Sequence, residues 1–175
     1  VTTQMKIKKT IIVLLLCFLP IASFAQKVGE ALSAWEEGYM DIHHINTGCG
    51  ECAYLILPDG TTMLIDAGEN KAGNPRHVPP KPNAGRTPGE WIVDYIKAMA
   101  PAQNQKLDYA LITHFHSDHM GGVLKMKNES GRYYNTGIIA VAENLQISTL
   151  VDRGFPDYKF LVDKELLQFF AFYET

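Results

Sequence analysis

The chain has 175 residues, of which 46% are apolar and 20% charged, and a formal net charge of −3. These values describe one globular domain of ordinary size, with no sign of disorder. The mild acidity argues against a dedicated nucleic-acid binder, although it leaves room for a local basic patch; no stable nucleic-acid binding is expected, and the expected partner is a small molecule.

Residues 1–25 read as a secretory signal peptide, which leaves 26–175 as the mature domain. Met5-Lys6-Ile7-Lys8-Lys9 is a positive start, Ile11 to Leu19 an apolar core, and Ser23-Phe24-Ala25 a small-x-small cleavage pattern before Gln26. The apolar core is too short for a permanent span, so no membrane span is expected after cleavage and the protein is expected to be exported, either periplasmic or secreted. Cleavage removes Lys6, Lys8 and Lys9 and no acid, so the body is more acidic than the whole. It also removes Cys17, leaving Cys49 and Cys52 as Cys-Gly-Glu-Cys. That pair could close a small disulfide loop, supply zinc ligands, or be two small residues in a tight turn, and the spacing leaves all three open.

Met40 to Ile45 alternates sides and predicts a first strand, in which the neighbours His43 and His44 face opposite ways. Thr47-Gly48-Cys49-Gly50-Glu51 is a glycine-rich turn. Ala53 to Leu57 predicts a second strand, Pro58-Asp59-Gly60 a turn, and Thr62 to Ile65 a third strand that ends in Asp66-Ala67-Gly68. Two hairpins in succession give an antiparallel sheet edge. Residues 69–89 form a long irregular stretch with five prolines and the basic or imidazole side chains Lys71, Arg76, His77, Lys81 and Arg86. These could attract an anionic substrate or stand as solvated charges on a loop.

Thr87-Pro88-Gly89-Glu90 is a helix start, with Thr as N-cap, Pro in the first turn and Glu three residues on. Ile92, Tyr95, Ile96 and Met99 then form a stripe at helical spacing, and Pro101 ends it. Leu107 to Thr113 predicts the fourth strand. After Gly122 a short helix is expected around Val123–Met126; Ile138–Leu145 could be strand or helix; Thr149–Asp152 reads as a strand; and Leu161–Tyr173 reads as an unusually apolar helix.

The fourth strand delivers Thr113-His114-Phe115-His116-Ser117-Asp118-His119-Met120-Gly121-Gly122. Three imidazoles and a carboxylate within six residues are donors suited to zinc and similar divalent ions. Alternate side chains on extended backbone point the same way, so His114 and His116 can grip one ion, while Asp118 and His119 on the following turn can face a second.

This His-x-His-x-Asp-His run followed by Gly121-Gly122 resembles the signature of the metallo-β-lactamase superfamily of metallohydrolases. The opening resembles the exported, competence-type branch in Gly48-Cys49-Gly50, Leu57-Pro58-Asp59-Gly60 and Leu64-Ile65-Asp66-Ala67-Gly68, although Cys49 and Glu51 depart from that pattern. The resemblance implies an α+β fold, a four-layer αββα sandwich of two similar halves, of which this sequence supplies mainly the N-terminal half. It implies up to two Zn²⁺ ions, or other divalent metals, with His114, His116, Asp118 and His119 as ligands. On the same resemblance Asp118 would also take part in catalysis, and Asp66 would orient the metal loop through hydrogen bonds. The implied chemistry is hydrolysis of an ester-type bond by hydroxide formed on the metal, with a phosphoester slightly favoured as substrate.

The family's site also needs two later histidines and a bridging aspartate. No histidine follows His119, and the later aspartates are Asp152, Asp157 and Asp163. The domain is therefore expected to be C-terminally incomplete, with a sheet face lacking its partner, and the 1–175 chain is expected to be inactive or nearly so. The alternative is a non-enzymatic remnant that keeps a partial metal site.

Overall fold

The computed structural model describes residues 28–48, 50–69, 75, 78, 81–83, 85–122, 137–154 and 157–158. The expected leader, Cys49, the helix expected after Gly122 and the apolar 161–173 stretch lie outside them. The chain divides into two units, Val1–Ser33 and Ala34–Thr175. In the first, the described residues begin with a turn at 28–30. All the regular structure among the described residues lies in the second.

Five strands form one mixed sheet in the order β1 (Asp41–His44), β2 (Ala53–Ile56), β3 (Thr62–Ile65), β4 (Leu107–Ile112) and β5 (Ile147–Asp152). The first three are antiparallel neighbours, joined by the predicted hairpins. β3 to β4 and β4 to β5 are parallel. Parallel neighbours need a crossover, and each has a helix within it: α1 (Pro88–Met99) before β4 and α3 (Gly137–Asn144) before β5. Between them a single turn, α2 (Ser117–Met120), follows β4. No helix of the described residues is long and apolar enough to cross a membrane.

α1 starts where the sequence predicts it. The Thr87 hydroxyl accepts from the Glu90 amide at 3.3 Å, and Glu90 returns the bond to the Thr87 amide at 2.7 Å. Its buried stripe is shifted from the expected one: Ile92, Val93 and Ile96 are buried, whereas Tyr95 and Met99 lie at its margins. Ile138 to Leu145, open between strand and helix in the sequence, is helical to Asn144 with Ile138, Ala140 and Val141 buried.

Both longer helices contribute to one core with a single face of the sheet. Tyr54, Ile56, Leu64, Leu107, Ala110 and Ile112 point into it and meet Ile92, Ile96, Ile138 and Val141, all nearly inaccessible to solvent. Alternation sends the other set outward, so Ile42, Tyr109 and Val151 stay 56%, 43% and 41% exposed. His43 and His44 obey the same rule. His43 turns inward, its Nδ1 3.0 Å from the Tyr95 hydroxyl, and burial lowers its pKa against the opposing pull of Asp41; His44 is exposed.

At the end of the sheet where β3 and β4 begin, Asp108 joins the two strands. Its Oδ2 accepts from the Thr62 amide and from Asn104 Nδ2, and its Oδ1 pairs with Lys106 at 2.7 Å. Partial burial raises its pKa, but these donors outweigh it and hold the carboxyl down at about 2.

At the opposite end, α3 begins against the turn that follows β3. A Cβ on Gly137 would overlap the Ala67 carbonyl oxygen. Gly137→Ala is therefore expected to lower the unfolding free energy by about 1–3 kcal/mol, read from urea denaturation. An unchanged midpoint would show that α3 does not pack this closely on that turn.

Candidate metal centre

The C-terminal ends of β1, β3, β4 and β5 and the start of β2 all lie at this second end of the sheet, as the pairings Ala53↔Ile65, Ile65↔Leu111 and Ile112↔Asp152 require. Asp66 and Thr113, the residues just past β3 and β4, emerge side by side. Asp66 has φ 59°, a left-handed conformation that Asp tolerates better than most residues, and its amide donates to the Leu111 carbonyl at 2.8 Å.

The Asp66 side chain is 1% exposed and is held by three donors. Oδ1 accepts from the Thr113 amide at 2.8 Å; Oδ2 accepts from the Thr113 hydroxyl at 2.7 Å and from His119 Nδ1 at 2.8 Å. This pattern assigns the imidazole protons. His119 carries its proton on Nδ1, because a carboxylate can only accept. The Thr113 hydroxyl has given its one proton to Asp66, so His114 Nδ1, 3.2 Å away, must donate to it. In its neutral form each ring then presents an unprotonated Nε2, the form that ligates a cation.

The loop that carries these rings is anchored from below. Phe115 and Met120 are buried, and Phe115 meets Tyr158 edge-on at 5.9 Å. With Phe115 inside, His114 and His116 project on the other side, their rings perpendicular and 4.7 Å apart. The helical turn α2, with His116 at its N-cap, then swings Asp118 and His119 back towards His114, whose ring lies 3.8 Å from that of His119. One ligand atom from each of His114, Asp118 and His119 lies within 4.8 Å of the other two. His116 is not in this group. Burial, then the neighbouring His119 and His116 rings, lower the His114 pKa against the pull of Asp66 and Asp118, a shift in favour of the neutral ring.

Two imidazoles and a carboxylate converging in this way fit a zinc-type cation, and a carboxylate behind one imidazole is the usual support for a metal-binding histidine. Neither Thr113, which ties both rings to Asp66, nor the backbone support is assigned by the sequence reading. The Glu51 amide donates to the Asp118 carbonyl at 2.8 Å, the Ala67 amide to His119 at 2.7 Å and the Glu69 amide to Ser117 at 2.9 Å. A Cβ on Gly68 would overlap the Asp118 carbonyl oxygen, so the glycine of Asp66-Ala67-Gly68 was the available signal for this close approach. Cys52 is a free, buried thiol whose pKa burial raises strongly, and it lies outside the group of converging donors.

Residues 46–131 match the model of the Metallo-beta-lactamase superfamily. The matched span takes in β2, β3, α1, β4 and the histidine loop, and its mixed sheet with few helices is compatible with the N-terminal part of that α+β fold. The match supports membership of this superfamily for the matched residues. The match is to the superfamily as a whole, not to a branch of it. No curated protein and no solved structure matches the chain.

Glu69, one residue past Gly68, is 2% exposed, and neither of its carboxylate oxygens has a hydrogen-bond partner among the described residues. Burial pushes its pKa up to about 7; the amides of Gly89 and Gly122 pull the other way without reaching hydrogen-bonding geometry. The folded state then keeps a proton that the unfolded chain releases near 4.5, so this group's contribution to stability falls as pH rises between those values and levels off above them. Glu69→Gln, which mimics the protonated form, is expected to be nearly neutral at pH 4.5 and stabilising by up to about 3 kcal/mol at pH 8. Urea denaturation of both proteins across that range checks it; parallel stability curves would contradict it.

Proposed function

We infer that this protein is an exported metal-dependent hydrolase that cleaves an ester-type bond, with a phosphoester favoured as substrate. The observation that carries this reading is the buried Asp66 carboxylate, which sets His119 as an Nδ1–H tautomer beside His114 and Asp118. An ordinary polar loop has no need of a desolvated carboxylate held by three donors behind one imidazole. Export rests on the leader sequence at residues 1–25, and the competence-type branch on the opening turn motifs and the Leu64-Ile65-Asp66-Ala67-Gly68 strand end.

In this reading His114, Asp118 and His119 hold one divalent ion, zinc by the chemistry of the donors, and His116 extends the site towards a second. A bound cation of this kind supplies Lewis acidity, which lowers the pKa of water towards about 7. The chain's own contributions are distinct. Asp66 and Thr113 fix the imidazole protons on Nδ1 and so keep both Nε2 lone pairs available. Asp118, exposed at the mouth of the group, is placed to accept a proton from the attacking water or to hold that water by a hydrogen bond.

A second reading, a protein that binds one ion without turnover, has one observation in its favour: a single group of three donors converges and His116 lies outside it. Titration with Co²⁺ followed by visible absorption, combined with assay of a chromogenic phosphodiester, separates the two. Two ions bound and hydrolysis abolished by chelator support the enzyme. One ion bound without hydrolysis supports the second reading, and no ion bound removes both.

Two substitutions test the roles. Asp66→Asn, which leaves the left-handed backbone accessible, is expected to weaken metal binding by about 10–100-fold. Asp118→Ala is expected to cost more than that, since it removes a donor outright. Metal affinity equal to that of the natural protein in either variant would remove the corresponding assignment.

A further inference from the structure

The same end of the sheet holds a pocket that the metal-centre reading does not use. It lies between the turn after β1 and the start of α1, and its volume is about 60 Å³. On that measure one water takes about 10–15 Å³, so the space suits a single six-membered ring better than a long chain. The walls are apolar, from Ile45, Val78, Pro88, Trp91 and Ile92, and Lys81 supplies a cation.

The lining is fixed in place. The Trp91 indole N–H donates to the Asn83 carbonyl at 3.1 Å, and the Arg86 guanidinium stacks on the ring 5.4 Å from its centroid. Arg86 is itself committed to Asp94 at 2.8 Å. The polar side chains of the turn are also engaged: Asn46 accepts from the Gly48 amide, and Thr47 donates to the Gly50 carbonyl. Lys81, exposed, forms no ion pair among the described residues, so the one charge left to a ligand here is positive.

The turn that walls the pocket also supports the metal loop. Its first half, Ile45 to Gly48, faces the pocket; at its second half, an added Cβ on Gly50 would stand 2.8 Å from the Asp118 carbonyl oxygen, and the Glu51 amide bonds to that oxygen. We propose that this pocket is the subsite for the body of the substrate, and that it takes a small aromatic ring bearing an anionic group of its own, apart from the bond that is cleaved. The ring packs among Trp91, Ile45 and Ile92, and the anion lies towards Lys81. The proposal deepens the reading of the site as a hydrolase and rests on it for the ring being part of a substrate; the anion follows from Lys81.

The test uses the full chain, ¹⁵N-labelled, with phenylphosphonate as a probe that is not hydrolysed. The readout is the indole N–H resonance of Trp91, assigned with Trp91→Phe; the Trp35 indole serves as control. The expected result is a saturable shift of the Trp91 signal with Trp35 unmoved. Methylphosphonate should bind about tenfold more weakly because it lacks the ring, and Lys81→Glu should weaken phenylphosphonate about fivefold. An unmoved Trp91 signal, or equal affinity for the two phosphonates, overturns the proposal. Running the titration with and without zinc separates the two ideas. A Trp91 shift in a protein that binds no zinc keeps the pocket and removes the hydrolase; zinc binding with an unmoved Trp91 keeps the hydrolase and removes the pocket.

Discussion

The rim of this sheet depends on one buried carboxylate. Asp66 is almost wholly withdrawn from water, and an ion in that position is stable only when its oxygens are supplied with donors. The Thr113 amide, the Thr113 hydroxyl and His119 Nδ1 provide them. Each donor belongs to the segment that follows β4, so satisfying the charge and positioning the histidine loop are the same event. The hydrogen bonds also determine which nitrogen of His114 and His119 is bare, and the chemistry of the group follows from that.

The sheet topology makes the arrangement possible. The parallel pairing of β3 with β4 places Asp66 and Thr113 at the same height on adjacent strands, and the antiparallel hairpins return the turn after β1 to that end. The result is two neighbouring features with different character. The histidine loop gathers nitrogen and oxygen donors, whereas the space beside α1 is apolar with a single lysine. In the proposed function the first would serve the bond that breaks and the second the remainder of the substrate.

Much of this was legible in the sequence, for reasons that can be located. The hairpins, the capping box at Thr87 and the strand that carries the histidine loop follow from turn residues and periodicity, which act locally. The grouping of donors was not legible in the same way. Alternation on an extended strand pairs His114 with His116, but the helical turn at Ser117–Met120 rotates Asp118 and His119 round to His114's side, and the length of the extended segment decides which neighbour wins. The role of Thr113 depends on a hydroxyl finding a carboxylate 47 residues earlier, which no local pattern encodes. The shift of α1's buried stripe from Tyr95 and Met99 towards Val93 likewise reflects where α3 docks, and Glu69 gave no sign of its burial because a glutamate after a glycine turn is ordinarily solvated.

The loops at this rim are joined to one another through main-chain bonds: the stretch around Glu51 to that around Asp118, and Ala67 and Glu69 to the stretch between Ser117 and His119. Surface loops are where insertions and deletions are usually tolerated, because few bonds constrain their length. Here an added residue in any of the three segments would break the register of the other two, so length variation in this fold should be confined to segments outside them. Sequence divergence at the rim would then proceed by exchange of side chains on a main chain of constant length, and a change of substrate would leave the spacing from Gly50 to Gly68 and from Thr113 to Gly121 intact.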